Sequence, residues 1–209
     1  MLAYIFLGIT EAAFERIGFS RAEFVLILAL TFIGSFINIP ITRITNVENM
    51  VDYREVRVFW VTYRIPQSIR RQVSTIVTIN MGGAIIPIIV SVTLLATHLS
   101  LLGYAFVGII VSSIIIHLVS RRERGVGIVT PAFIPPIAAA IISLLIAPAS
   151  GAAIAAYVSG SMGALIGADL TNLRGITKLG APVVSIGGAG TFDGVFLTGI
   201  IAVMIVSIL

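Results

Sequence analysis

Two aspartates stand apart from every other charged residue in this 209-residue chain. Asp169 closes the run Gly163-Ala-Leu-Ile-Gly-Ala-Asp-Leu170 and Asp193 follows Gly187-Gly-Ala-Gly-Thr-Phe192, each within a long apolar stretch. A carboxylate at membrane depth costs roughly 2.5–3.5 kcal/mol on insertion scales, so it requires a partner, a wet cavity or a proton. Two carboxylates held close together cannot both ionise easily. One then keeps a proton while the other activates water for attack on a peptide carbonyl. Paired Asp side chains also suit a second chemistry, as hard oxygen ligands for a small cation or as carriers of a proton.

Other polar residues join the same layer. Asn38 lies near the cytoplasmic end of a first expected span, and Asn80 about seven residues, or roughly 10 Å, inside a second. Asn80 is followed by Met81-Gly82-Gly83 and by Pro87, a combination that weakens a helix and leaves carbonyls in need of partners. Gly190 and Thr191, just ahead of Asp193, are expected to support the site. His117 is a candidate proton carrier or an interfacial residue reaching for water. Each feature also has a reading without chemistry: Asn side chains bridge transmembrane helices, and an Asp at a helix start caps free N–H groups. Capping does not serve Asp169, which faces the unfavourable end of its helix dipole.

The elements that position these residues follow from composition. Hydrophobic residues make up 58% of the chain and charged residues 11%, the mean hydropathy is +1.12, and soluble domains carry about 25% charged residues. This excludes a cytosolic enzyme, a disulfide-rich secreted module and a disordered tail. The absence of cysteine removes thiolate catalysis and cysteine-ligated metal. Crossing roughly 30 Å of hydrocarbon takes about 20 apolar residues. Six stretches qualify, at 24–42, 73–97, 101–119, 132–148, 151–170 and 187–209. The expected fold is a single polytopic domain over 1–209: an all-α integral membrane protein of about six transmembrane helices with Gly/Pro-broken segments.

Residues 1–20 read as an interfacial amphipathic segment and 43–72 as a cytoplasmic insertion. Within the insertion, Glu55-Val-Arg-Val-Phe-Trp-Val-Thr-Tyr-Arg-Ile65 predicts a small β-hairpin between the first two spans. Eleven of the thirteen basic residues lie in the connections 43–72, 120–131 and after 170. The positive-inside rule then puts these connections in the cytoplasm and both termini outside a cell membrane crossed several times. The net charge of +4 therefore speaks of topology rather than nucleic acid. The expected partners are membrane lipid and either a transmembrane peptide or a small cation. No phosphate loop, Rossmann fingerprint, His-Glu-x-x-His motif or serine-nucleophile elbow occurs, so no cofactor and no metal is expected. The oligomeric state is not legible at this level.

The series Gly34-Ser-Phe-Ile-Asn-Ile-Pro40, Asn80-Met-Gly-Gly-Ala-Ile-Ile-Pro87, Gly167-Ala-Asp-Leu170 and Gly187-Gly-Ala-Gly-Thr-Phe-Asp-Gly194 resembles an uncharacterised prokaryotic membrane family, domain of unknown function 1614. The resemblance covers nearly the whole chain and implies a polytopic membrane protein without a known activity. A weaker likeness is to the presenilin-type intramembrane aspartyl proteases, in which two aspartates on transmembrane helices face each other. By position, Asp169-Leu170 resembles one half of that pair and Asp193 with Phe196 the other. That likeness implies a membrane-embedded hydrolase, with a cation- or proton-coupled transporter and a structural protein without chemistry as the other readings.

Overall fold

The structure is a computed structural model that describes residues 2–123, 127–173, 182–188 and 194–209. Two helices, α1 (Leu2–Arg16) and α2 (Arg21–Gly34), open the chain with a 117° bend between Leu7–Arg16 and α2. A capping box starts α2: the Ser20 side chain accepts from the Glu23 N–H while the Glu23 carboxylate accepts from the Ser20 N–H, which satisfies two otherwise orphan donors. From Asn38 the backbone becomes extended. Strands β1 (Asn38–Val58) and β2 (Val61–Asn80) pair antiparallel along their whole length. At about 3.4 Å per residue this ribbon is about 70 Å long. Its turn is Phe59-Trp60, both at positive φ, 47° and 67°.

After β2 a π-helical turn, Met81–Ile85, leads into α3 (Ile86–Thr97). Then come α4 (Leu102–Val119), a short hairpin of β3 (Arg121–Glu123) and β4 (Gly127–Val129), α5 (Ile134–Ile146) and α6 (Ala152–Ala164). A second π-helical turn, Leu165–Asp169, extends α6. Strand β5 (Val183–Ile186) lies parallel to the base of β2, from Ile76↔Val183 to Ile79↔Ile186, giving the sheet order β1-β2-β5. The last helix is α7 (Gly194–Ile208).

Helix α6 is the centre of the molecule and packs against α3, α4, α5 and α7. Its residues are nearly all buried, Tyr157 completely. Against Tyr157 and Phe196 packs Phe14, with ring centroids at 6.0 and 6.3 Å, so the first segment folds onto the bundle through one aromatic ring. Small residues let the helices close up. A Cβ on Gly108 or Gly163 would press on Ser159 and Ser112 respectively, the close approach that marks helix seams in membrane proteins.

The expectation of an all-α protein with about six transmembrane helices is overturned. Two helices, Leu99–Val119 and Ala152–Asn172, each of 21 residues, are long and apolar enough to cross a membrane, and a third joins them if the bent pair α1–α2 is one broken span. Helix α5 has 13 residues and is therefore about 20 Å long. Pro135 and Pro136 sit in its first turn, and Pro148 holds the preceding Ala147 extended at ψ 151°. The hairpin is also not a small insertion within 43–72. It takes in Asn38 and Asn80, both of which were expected on helices. Its ends, Ile39-Pro-Ile-Thr42 and Val73-Ser-Thr-Ile-Val-Thr-Ile79, are β-branched runs that favour strand. Hydropathy counts such runs as membrane-worthy but does not distinguish strand from helix.

Candidate functional site at the base of the hairpin

Asn80 is the last residue of β2 and caps the π-helical turn that follows, its Oδ1 accepting from the Gly83 N–H at 2.8 Å. The amide nitrogen donates to the Ser35 carbonyl at 2.7 Å and to Asn38 Oδ1 at 3.1 Å. Asn38 Oδ1 also accepts from Ser185 Oγ at 2.6 Å. Three segments, the end of α2, the foot of the hairpin and β5, are thus tied at one point. The buried Asn80 has both amide hydrogens and its carbonyl in use, as a buried amide must.

Strand β5 carries this cluster to Asp169. One residue past β5, the Gly187 N–H donates to Asp169 Oδ2 at 2.7 Å. Gly187 has φ +81°, and a Cβ there would meet Ala84 N at 2.6 Å, so only glycine fits between the two π-helical turns. Asp169 closes the second of these turns. A π-helical turn is rare and is enriched at functional sites, and here two of them meet across one glycine.

Beside this lies His117 at the end of α4. Its Nδ1 is 2.8 Å from Thr171 Oγ1, and Thr171 Oγ1 donates to the Gly167 carbonyl at 2.8 Å. The Asn172 amide nitrogen also lies 3.5 Å from the same Nδ1, so the His117 ring is tied to the end of the second π-helical turn by two side chains. Asn172, buried, donates to the Gly167 and Ala168 carbonyls at 3.2 and 2.9 Å. The carbonyls that the π-helical turn releases are satisfied by side chains one turn on.

Of the sequence-predicted residues, the structure brings Asn38 and Asn80 into direct contact and links Asp169 to them through β5. Asp193, Gly190 and Thr191 lie outside the described residues. The helix that follows them begins in the same layer: Val195 belongs to one buried cluster with Val77, Ala84, Ile116, Ala164, Leu165 and Ile186. Ser185, Gly187, Thr171 and Asn172 were not singled out by sequence reasoning. Ser185 had a signal, a polar residue amid Val183-Val-Ser-Ile186; a backbone donor such as the Gly187 N–H has none. Among the described residues no group of three His, Asp or Glu side chains is placed to hold a metal ion.

The fold and this cluster define a membrane-type helical bundle with a polar layer at one end, from which a β-hairpin projects. The chain belongs to the family described as Protein of unknown function (DUF1614), whose model matches residues 32–205. No curated protein matches it. No solved structure matches it.

Proposed function

We propose that the protein is a membrane-embedded, aspartate-dependent hydrolase whose reacting pair is Asp169 and Asp193. The observation that carries this reading is the setting of Asp169. One carboxylate oxygen is fixed by the Gly187 N–H, and among the described residues no Lys, Arg or His lies within ion-pair distance of it. Helix α7 begins at Gly194, immediately after Asp193, and its Val195 lies in the buried cluster of this layer. A carboxylate held by a glycine N–H is suited, with a second carboxylate that in this proposal is Asp193, to share a proton and activate water. The substrate class is a peptide segment within the membrane, which such a site attacks at the carbonyl carbon.

The transporter reading is weaker because its oxygen ligands are already engaged. Asn38 Oδ1 accepts two hydrogen bonds and Asn80 Oδ1 accepts one, which makes the Asn pair a latch rather than an ion cage. We place the site on the cytoplasmic side of a multi-pass protein with both termini outside. In support, the foot of the arginine-rich hairpin shares a buried cluster with Ile116 near the end of α4 and Leu165 after α6, so the hairpin and the Arg121-Arg122 turn gather at one end of the bundle.

The deciding experiment reconstitutes the protein in liposomes with fluorogenic transmembrane peptides. Asp169→Asn and Asp193→Asn each abolish cleavage, while Asn38→Ala lowers it through stability alone. Because the chain contains no cysteine, spin labels at Asp169→Cys and Asp193→Cys report the separation directly. A distance that keeps the two carboxylates from sharing a water, or cleavage that survives both substitutions, overturns the reading.

A further inference from the structure

The hairpin poses a problem of its own. A two-stranded ribbon is at best marginally stable in water, and three strands or a packed face are normally required. Here a third strand, β5, covers only Ile76–Ile79, and the flanks of the turn carry exposed Val51, Tyr53, Tyr63 and Ile65. The two edges of the ribbon are not equivalent. Ile76 donates its N–H outward, to the Pro182 carbonyl at 2.9 Å, so the even-numbered residues of β2 face the outer edge. Pro66 is one of them, opposite Tyr53 in an unshifted register, and it removes a donor from the middle of that edge. Proline at an edge is a standard block to further pairing. On β1 the odd-numbered residues face outward, and no proline occurs between Ile41 and Val58. The Tyr53 N–H turns instead to the neighbouring Asp52 Oδ1 at 2.9 Å, a local partner that a strand displaces.

We propose that β1 pairs edge to edge with β1 of a second copy of this chain, antiparallel and with Tyr53 on the two-fold axis, to form a four-stranded sheet β2-β1-β1-β2. Outward-facing residues of β1 are all odd-numbered, so only registers that set odd against odd make the ladder. The Tyr53-centred one places Asp52 opposite the second copy's Arg54 and Arg54 opposite its Asp52, in non-hydrogen-bonded pairs where side chains come closest. Both residues are exposed, and neither has an ion-pair partner among the described residues. The permitted registers to either side fail: one sets Asp52 against Asp52, the other Arg54 against Arg54, and directly opposed like charges destabilise a sheet. Two opposite-charge pairs thus favour this alignment over the register on either side of it. Asp52 changes partner on assembly, from the Tyr53 N–H to the Arg54 guanidinium of the other copy.

The absence of cysteine makes the test direct. In the purified full chain in mild detergent, Tyr53→Cys forms an interchain disulfide on gentle oxidation, because hydrogen-bonded pairs in an antiparallel ladder sit about 5.5 Å apart at Cα, within disulfide reach. Ser68→Cys, exposed on the blocked edge of β2, does not. By light scattering the unmodified protein is a dimer; Arg54→Asp weakens it about tenfold, and the exchange Asp52→Arg with Arg54→Asp restores it. Equal cross-linking at position 68, a monomer at all concentrations, or a monomer whose hairpin is protected only by anionic phosphatidylglycerol vesicles overturns the proposal, the last in favour of a lipid surface.

Discussion

Asn38 and Asn80, 42 residues apart, hydrogen-bond to each other at 3.1 Å as the outermost pair of a hairpin about 70 Å long. The contact closes the hairpin at its foot and hands the chain to a helix, because Asn80 also caps the turn that follows. Asn80→Ala removes this contact, the bond to the Ser35 carbonyl and the cap on Gly83, and leaves buried groups unpaired. It should destabilise the protein by about 2–4 kcal/mol. Asn38→Ala, at an exposed position, should cost about 1 kcal/mol. Chemical denaturation of the two variants in the same detergent measures the difference; equal effects would show that the amide of Asn80 is not the keystone.

Gly187 has two duties, and Gly187→Ala tests both. The added methyl has no space beside Ala84, and the positive φ is strained for any residue with a Cβ. The strain alone is about 1–3 kcal/mol. Relief requires the turn to move, which takes the N–H away from Asp169. The expected outcome is a hydrolytic rate lowered by more than the loss of stability explains, measured under conditions where the variant remains folded. Unchanged turnover by the folded fraction would separate Gly187 from the chemistry.

The sequence singles out Asn38, Asn80 and Asp169 of this cluster, and the reasons the rest is not legible are physical. Polar residues within apolar runs are costly at membrane depth, so Asn38, Asn80 and Asp169 drew attention by type alone; the depth expected for the two asparagines assumed helical spans, and both are strand residues instead. Val, Ile and Thr around Asn38 and Asn80 satisfy a hydropathy window and a strand equally well, and the pairing partner that decides between them lies some forty residues away. The tip of the hairpin was legible because Arg and Glu interrupt the apolar pattern there; its foot was not, because nothing charged falls between Val73 and Asn80. The two π-helical turns have no side-chain signature beyond nearby glycines.

Bulk should be tolerated at a glycine on the open face of α4 but not at one in the α4–α6 seam. A Cβ at Gly167 would meet the Ser113 carbonyl oxygen and Cα and the Ile116 side chain, whereas at Gly103 nothing lies within 4 Å. Gly167→Ala therefore overpacks two rigid backbones and should cost about 1–3 kcal/mol. Gly103→Ala, on an open face of α4, should gain up to about 1 kcal/mol from helix propensity. Thermal unfolding of both variants reads the contrast, and a stable Gly167→Ala protein would mean that α4 and α6 can separate at little cost.

The hairpin turn makes the sharpest prediction about stability. Phe59 and Trp60 occupy positive φ, 47° and 67°, where two-residue hairpin turns strongly prefer Asn-Gly. Residues with a Cβ pay about 1–2 kcal/mol for a left-handed backbone. Their rings recover nothing by packing within the chain, being 93% and 92% exposed. Replacing them, Phe59→Asn with Trp60→Gly, should stabilise the hairpin by about 2 kcal/mol. Local opening near the turn would then fall about thirtyfold, and trypsin, which needs that opening to reach Arg54, Arg57 and Arg64, should cut correspondingly more slowly. Faster cleavage in the variant would mean that the two aromatic rings hold the turn together through contacts they make outside their own chain.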